Sequence, residues 1–449
     1  MTAELEEIAA RVVRMALEGG ADDAECTASA GEEFTASVRM RELEQLKNAG
    51  SRAAGVRVLI GKRAGSAYSS DLTPEGLRRM VDSALELARI TSEDPYAGLP
   101  ESGELGRLEG DLQLYYHDLA ALPADTRIQA AKAAEEAALA HDRRIVNSEG
   151  ASVDTRVAHR AFANSRGFCG SYSASRCSVS VVPVAKENGS MERDYWYEQS
   201  RSAAALEHPD RVGRRAAERA IRRLKPRKVA TQTVPVIFEP EAARTLLEHV
   251  FEAVNGDAVY RNASFLAGKL GEKVASEKLT LVDDGTLPGL FGTAPFDDEG
   301  VPTRRTVVIE RGVLTSYLLN TYTARKLGLK TTGNASRGLT GNAGVGHGNL
   351  FAEPGEATPE ELIHGVRQGL YVTELIGFGV NTVTGEYSRG AAGLWIENGE
   401  LAYPISEVTV SGNLRQMLEA IEAVANDLEF RAATACPTLL VAEMTVSGQ

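Results

Sequence analysis

The chain has 449 residues, which exceeds the size at which a single hydrophobic core stops growing, so two or three domains are expected. Its 62 acidic residues outnumber 49 basic ones, and the formal net charge of −13 repels phosphate backbones and anionic lipids, which argues against nucleic acid or a membrane surface as the partner. Four scattered cysteines without a C-x-x-C pair favour a reduced, cytoplasmic compartment over a disulfide framework, and no run approaches the roughly 18 apolar residues of a membrane span.

The first half of the chain mixes helices with antiparallel strands. Apolar residues at helical spacing predict a helix over 3–17, which is acidic and amphipathic rather than a signal peptide. Alternating polar and apolar residues predict an antiparallel meander over 24–69. A second helix is predicted to begin with Pro74 after the N-cap Thr73. The elements that follow are a connector over 92–110 and an alanine-rich helix over 125–141.

The same alternation continues towards the middle of the chain. The pattern over 145–184 predicts long hairpins of one large antiparallel sheet. The next helix, predicted over 209–224, is rich in basic residues. It lacks interleaved aromatic residues and its charges suit a helix C-terminus, so a structural role is favoured over nucleic-acid binding. We therefore predict an N-terminal α/β domain over 1–228 and a C-terminal α+β domain over 229–449.

The second half predicts an α+β fold of large antiparallel sheets with flanking helices. Asn398 and Gly399 form a strong hairpin signal. Strands are predicted over 234–239, 279–284, 305–320, 370–379, 392–412 and the C-terminal residues. Helices are predicted from Pro240 to about Asn255, and over 321–327, 358–365 and 413–426.

The helix that begins at Pro240 is shaped like that of a zinc protease but holds one histidine. A His-Glu-x-x-His site needs two imidazoles on one helical face, with a glutamate that deprotonates the metal-bound water. Here His249 stands alone between Glu248 and Glu252, and the next histidine along the chain is His347. Two ligands do not make a catalytic zinc site, so His249 is interpreted as an ordinary, partly buried helix residue.

Three other segments invite a chemical interpretation. The glycine-rich stretch over 338–349, which holds His347, lacks the ending of a phosphate loop and is interpreted as a mobile loop. Cys436 precedes a proline, and packing is a simpler role for it than that of a catalytic thiol. The acidic pair Asp283 and Asp284, and the cluster of Asp297, Asp298 and Glu299, could hold a hard cation, although turns beside glycine favour aspartate without any metal.

Four blocks of the C-terminal half resemble a known family. They are NGDAVYRNASFLAGKLGEKV (255–274), LTLVDDGTLPG (279–289), FDDEGVPTRRTVVIERGVLTSYLLNTYTARKLGLKTTGNA (296–335) and VTGEYSRGAAGLWIENGELAYPISEVTVSGNL (383–414). They are similar to the TldD/PmbA family, also described as modulators of DNA gyrase and understood as subunits of a metalloprotease. The resemblance is strong over about the last 220 residues, and the N-terminal half agrees in pattern only.

The resemblance implies that the chain is of the PmbA or TldE type, which lacks the His-Glu-x-x-x-His motif of the TldD type. Ungapped matching through Leu246 and Leu247 places Glu248, His249 and Ala253 at the motif positions. Cys436 does not take the place of the family's cysteine ligand. No metal ligand, catalytic residue or cofactor is therefore assigned to this chain, and zinc or iron is expected in a TldD-type partner.

Further expectations follow from the same resemblance. The two subunits would degrade or trim unfolded peptides in the cytoplasm, and this chain would form part of the substrate chamber, where extended peptides pair with exposed strand edges. Alone, the chain could form a homodimer through the surface meant for the partner. The candidates for residues along the substrate path are Glu248, His249, Glu252, Glu386, Tyr387 and Ser388.

Two alternatives stay open. A stand-alone hydrolase would need an atypical site built from His249, Glu252 and His347. A non-enzymatic binding module, such as a modulator of gyrase, would need no such site.

Overall fold

The computed structural model describes residues 1–448. The N-terminal part is built around one sheet with helices on one face. Its elements are α1 (Thr2–Glu18), β1 (Asp23–Arg39), β2 (Glu42–Ile60), β3 (Arg63–Ser69), α2 (Pro74–Ile90), α3 (His117–Ala120), α4 (Ala124–His141), β4 (Ile145–Asn164), β5 (Cys169–Glu187), β6 (Ser190–Arg193), β7 (Trp196–Ser200) and α5 (Pro209–Arg222).

The strands of this first sheet are antiparallel and unusually long. Their order is β3-β2-β1-β4-β5-β6, and β7 also pairs with β5. The alternate residues Ala24, Cys26, Ala28 and Ala30 of β1 are buried under α1 and α2. Further along the same face, Val38 of β1 and the apolar side of β5 pack against α4 and α5. Because the side chains of a strand alternate between faces, the opposite face is left for polar residues.

The C-terminal part holds the largest core. Its elements are β8 (Gln232–Phe238), α6 (Pro240–Val254), α7 (Gly256–Tyr260), β9 (Leu281–Asp284), β10 (Arg305–Glu310), β11 (Val313–Leu314), α8 (Thr321–Leu327), β12 (Ala335–Ser336), β13 (Gly344–Val345), β14 (Asn349–Ala352), α9 (Pro359–Gly365), β15 (Gln368–Ile376), β16 (Glu386–Glu397), β17 (Glu400–Asn413), α10 (Leu414–Glu419), β18 (Ile421–Val424), β19 (Thr434–Ala435) and β20 (Leu439–Ser447).

Two sheets and a short hairpin share this core. One sheet has the order β17-β16-β15-β8-β20-β18, and β17 also pairs with β20, so five of its strands close into a ring. The second has the order β11-β10-β9-β14-β19, and β12 pairs with β13. Helix α6 packs its apolar side, which includes Leu246, Leu247, Val250 and Ala253, into the core between these sheets. The α+β class with large antiparallel sheets is confirmed.

Two predicted elements differ from the structure, and one predicted loop has contacts that the sequence did not indicate. The helix predicted over 413–426 is wrong, because α10 ends at Glu419 and the chain continues as β18, which pairs with β20. The segment predicted as strand over 305–320 holds a weaker hairpin signal at Arg311 and Gly312, and these residues have positive φ angles and form the turn between β10 and β11. The strand is predicted too long, because β11 ends at Leu314. The glycine-rich stretch over 338–349 contacts the first sheet, since Gly341 N donates to Ser66 Oγ and Asn342 Oδ1 accepts from Arg57 Nε; its mobility stays a prediction.

None of the helices within residues 1–448 is long and apolar enough to cross a membrane.

Candidate functional site

The six candidate residues lie where α6 meets the start of β16. Glu248 is bound within its own helix, because Arg244 Nη1 donates to its Oε1 at 2.8 Å. His249 Nδ1 lies 3.5 Å from Glu252 Oε2. The ring of His249 also meets the ring of Tyr387 edge-on, with 6.3 Å between centroids. The structure therefore brings His249, Glu252 and Tyr387 together.

The two neighbours of Tyr387 on β16 do not join this group. Tyr387 is buried, whereas Glu386 and Ser388 are exposed. This is the alternation expected of a strand with one face on the core. Ser388 instead binds the preceding loop, where its N–H donates to Gly379 O at 2.7 Å.

Two buried polar atoms at this site have no hydrogen-bond partner among residues 1–448. They are His249 Nε2 and the hydroxyl of Tyr387. Arg389 lies close enough to Tyr387 to act on its hydroxyl, while its guanidinium donates to Thr245 Oγ1, Gly377 O and Leu375 O. Burial raises the pKa of Tyr387 to about 12, against a smaller opposing effect of Arg389, so the hydroxyl keeps its proton at neutral pH. The pair therefore holds a phenol donor and an imidazole nitrogen that are covered from solvent and have no partner among the described residues.

Arg389 also holds a loop beside this site. Its bonds to Leu375 O and Gly377 O fix the backbone ahead of Phe378. Phe378 is fully exposed, and Ile376 and Val383 are each more than half exposed. An exposed group of large apolar side chains is typical of a surface that another molecule covers.

The residues at the motif positions do not fit a metal ion. Glu248 is bound to Arg244, and Ala253 is buried in the core without a donor atom. Cys436 is buried in the same core, where burial raises the pKa of its thiol well above the usual range. In the part of the chain that the structure describes, no group of three or more histidine, cysteine, aspartate and glutamate side chains has an arrangement that could hold a metal.

His347 lies on a different side of α6 from His249. Its ring packs edge-on against Phe251 with 4.8 Å between centroids, and its Nδ1 lies 2.8 Å from Gly348 O. Phe251 is two positions beyond His249, which is about 200° around the helix. The structure therefore does not bring His347 to His249 and Glu252.

The aspartates of the two acidic segments serve as backbone acceptors. Asp284 Oδ1 accepts from Thr286 N at 2.9 Å, and Asp297 Oδ1 accepts from the N–H groups of Glu299 and Val301. These are turn bonds of the kind that aspartate makes without a metal. Burial raises the pKa of Asp283 to about 6, and burial together with Glu299 raises the pKa of Asp297 to about 8.

Sequence reasoning missed the contact between the two halves of the chain. Glu25 of β1 is fully buried and accepts from Arg57 Nη1 at 2.9 Å and from Arg337 Nη1. The guanidinium groups outweigh the cost of burial and lower the pKa of Glu25. No local sequence signal joins residues 312 positions apart, so this pair could not be found from the sequence.

Sequence reasoning also missed a polar cleft on the open face of the first sheet. Strands β1, β4 and β5 surround a space of about 240 Å³ there. Its charged lining residues are Glu33, Asp154, Arg156 and Arg176. The alternation of the strands was a usable signal, because it predicts which side chains share the face opposite the helices.

Comparisons with known proteins agree over almost the whole chain. Three family models match it: PmbA/TldA metallopeptidase domain 1 over residues 24–88, the central domain over 117–224, and the C-terminal domain over 231–448. The chain is 41% identical to Metalloprotease PmbA of Escherichia coli O157:H7, over 99% of this chain and 96% of that protein. It is 35% identical to the Metalloprotease PmbA homolog of Haemophilus influenzae over the same shares.

Solved structures agree as well. A proposed modulator of DNA gyrase from Bacteroides thetaiotaomicron has a TM-score of 0.92 at 29% identity and covers 99% of both chains. TldE from Thermococcus kodakarensis has a TM-score of 0.88 at 23% identity, over 98% of this chain and 99% of that one, and shows the fold alone. The resemblance seen in the C-terminal blocks is confirmed and extends to the N-terminal half. The chain therefore belongs to the PmbA/TldD metallopeptidase family and is of its PmbA type.

Proposed function

We propose that this chain is the subunit without a catalytic metal in a two-subunit cytoplasmic peptidase that degrades or trims unfolded peptides. A TldD-type subunit would carry the zinc or iron. The observation that carries the proposal is that the metal-motif positions on α6 hold no set of metal ligands. Glu248 is bound to Arg244 and Ala253 lies in the core. The names of the relatives support peptidase chemistry in the family, while these positions offer no ligand set of their own.

The proposed role of this chain is to bind and orient the peptide. Metal in the partner would activate water for attack on the peptide bond. On this chain, the hydroxyl of Tyr387 and His249 Nε2 are covered, so a peptide reaches them only when the residues over them move aside. The hydroxyl would then donate to a peptide carbonyl, and His249 Nε2 would bind a peptide N–H or carbonyl according to its tautomer. Main-chain groups occur in every peptide, so such contacts would not depend on the substrate's sequence.

The exposed loop that holds Phe378 supports a second subunit as the neighbour of this site. Ile376, Phe378 and Val383 expose apolar surface immediately beside Tyr387 and His249. Burial of these side chains against the partner would stabilise the pair and enclose the peptide. Without the partner, two copies of this chain are expected to use the same surface as a homodimer.

Digestion of casein tests the proposal. The chain alone, a TldD-type subunit alone and the mixture are compared at equal concentrations. Activity is expected in the mixture and not with this chain alone. Proteolysis by this chain alone, together with one equivalent of zinc or iron bound to it, would contradict the proposal and support a stand-alone hydrolase.

A binding module is the second candidate, because two structural relatives are described as proposed modulators of DNA gyrase. That function predicts no gain of peptidase activity when the two subunits are mixed. It predicts instead that the chain alters the supercoiling activity of gyrase in the absence of any TldD-type subunit.

A further inference from the structure

The first sheet has a long edge without a partner. Strand β2 spans Glu42–Ile60, but β3 pairs only with its residues 54–60. Residues 42–53 pair with β1 on one side, and no strand within residues 1–448 pairs with their other side. The N–H and C=O groups along that side are therefore open to another chain in an extended conformation.

The usual protections of a free edge are only partly present along residues 42–53. Natural edge strands are kept short, carry proline or turn charged side chains outward. Residues 42–53 contain no proline. Four exposed charged side chains lie along this segment: Glu42, Glu44, Lys47 and Arg52. Lys47 lies 3.8 Å from Glu33 on the neighbouring strand β1 and Arg52 is paired with Glu4 of α1, so both cations are drawn towards the chain itself, while Glu42 and Glu44 lie next to the hairpin turn. The edge is thus left accessible to strand addition.

The pairing of β2 with β1 shows which side chains of residues 42–53 lie on each face of the sheet. Leu43 lies opposite Val38 and Leu46 opposite Ala36, so both leucines share the face that carries the helices. Both are about half exposed, because the helices do not reach β2 at this point. Gln45 and Lys47 lie opposite Ser37 and Thr35, on the face that holds the polar cleft. An added strand would meet leucines on one face and polar side chains on the other.

We propose that residues 42–53 bind an extended segment of an unfolded polypeptide by adding it to the sheet as a further strand. Main-chain hydrogen bonds would hold the segment, and Leu43 and Leu46 would pair with its apolar side chains. The proposal rests on the proposed function, since it identifies a place where this subunit grips the peptide. It also fits the lack of side-chain selection that degradation of unfolded peptides requires.

A folded partner is the less suitable occupant of this edge. A stable interface buries about 800 Å² on each partner around an apolar centre. The exposed large apolar side chains along the edge are Met40, Leu43 and Leu46, all near the tip of the β1–β2 hairpin. The remaining edge offers its backbone and short or polar side chains, which suit a single strand rather than a folded surface.

Hydrogen exchange of the full chain tests this site directly. The probe is reduced, carboxymethylated α-lactalbumin, which stays unfolded. At saturating probe, alternate amides of residues 42–53 are expected to exchange at least about tenfold more slowly, because every second N–H of an edge strand points outward. Amides of residues 54–60 are the internal control and are expected to stay unchanged, since β3 already pairs with them. Absence of the added protection overturns the proposal.

Two further results would also overturn it. The first is equal protection by native α-lactalbumin with its disulfides intact, because that protein offers no extended segment. The second is protection without any probe that grows with the concentration of this chain, which would identify the edge as a contact between two copies.

A matched pair of variants tests the side-chain contribution. Leu46→Lys places a charge on the edge, and Leu87→Lys places the same charge on a similarly exposed position of α2. Binding of the unfolded probe is expected to weaken about two- to fivefold in L46K and to stay unchanged in L87K. Equal affinity in the two variants would count against a role for Leu46.

The casein assay keeps the two proposals apart. If the mixed subunits digest casein but the unfolded probe does not slow exchange in residues 42–53, the edge site is wrong and the proposed function still holds. If the probe slows exchange in these residues but the mixture does not digest casein, the proposed function is wrong and the edge site still holds.

Discussion

The hydroxyl of Tyr387 is buried in the candidate site without a partner in residues 1–448. Removing an unpaired buried hydroxyl costs no hydrogen bond, so Tyr387→Phe is expected to leave the free energy of unfolding unchanged or to raise it by up to about 1 kcal/mol. Casein digestion by the mixed subunits is expected to slow, because the proposed donor to the peptide is lost. Chemical unfolding and the digestion rate measure the two effects. A loss of stability with unchanged digestion would show that the hydroxyl has a structural partner.

Glu25 is the buried anion between Arg57 and Arg337. Glu25→Gln keeps the shape of the side chain but removes the carboxylate that directly pairs with two buried guanidinium groups. The expected loss of stability is about 3–5 kcal/mol, measured by chemical unfolding. Glu419→Gln is the matched control, since its pair with Arg415 is exposed and is worth about 0–1 kcal/mol. Equal losses of stability in the two variants would mean that water reaches the junction between the two halves of the chain, where Glu25 meets Arg57 and Arg337.

At the level of single elements, the turn of the β1–β2 hairpin is held by hydrogen bonds to helix α4, which packs on one face of the sheet. Its turn residues Met40 and Arg41 both have positive φ angles, and their N–H groups donate to the carboxylate of Glu135 at 2.9 and 2.6 Å. Glu135 belongs to α4 and is fully buried. The helix therefore fixes the tip of the hairpin that carries the open edge of β2.

Glu135→Ala is expected to destabilise the chain by about 1–3 kcal/mol, because two N–H groups lose a charged acceptor. Faster hydrogen exchange near the turn should accompany the loss. Glu136→Ala removes a neighbouring exposed carboxylate and is expected to cost no more than about 1 kcal/mol. Similar exchange at the turn in both variants would argue that the strands alone hold the hairpin.

Elements with a clear local signal were predictable from the sequence. Thr73 accepts from Gly76 N and Pro74 is the first residue of α2, as their residue types indicate. Asn398 and Gly399 form the turn between β16 and β17. The helix predicted over 413–426 failed for a tertiary reason. Its apolar residues are spaced as in a helix, but Ile421 and Val424 gain more from pairing with β20 than from continuing α10.

For the whole molecule, the candidate site was partly predictable and the junction was not. The family resemblance led to α6 and to the segment around Tyr387, and the structure places His249 and Tyr387 in contact. Strand alternation explains why Glu386 and Ser388 face away. The contact of Glu25 with Arg337 depends on how distant segments meet, and no local pattern encodes that. Strand alternation does indicate which side chains share the face that holds the cleft between β1, β4 and β5.

The junction between the two halves is also expected to make stability depend on pH. Asp297 lies in the segment that meets the first sheet, where Asp298 pairs with Arg160 of β4. Burial and the neighbouring Glu299 raise the pKa of Asp297 from the ordinary 3.8 to about 8. The folded chain therefore keeps a proton that the unfolded chain releases. This contribution to stability is complete below about pH 4 and is lost as the pH rises through 8.

The variant Asp297→Asn isolates this effect, because asparagine does not titrate. The quantity to follow is the free energy of unfolding of the original chain minus that of the variant. This difference is expected to fall between pH 4 and 8, by at most about 1.4 kcal/mol per pH unit. Above pH 8 it is expected to stay level. Asp125→Asn, at an exposed position, should leave the difference flat. The three backbone N–H groups that donate to Asp297 favour its charged form and oppose the burial. If the difference rises with pH instead, these bonds outweigh burial and Asp297 is ionised in the folded chain.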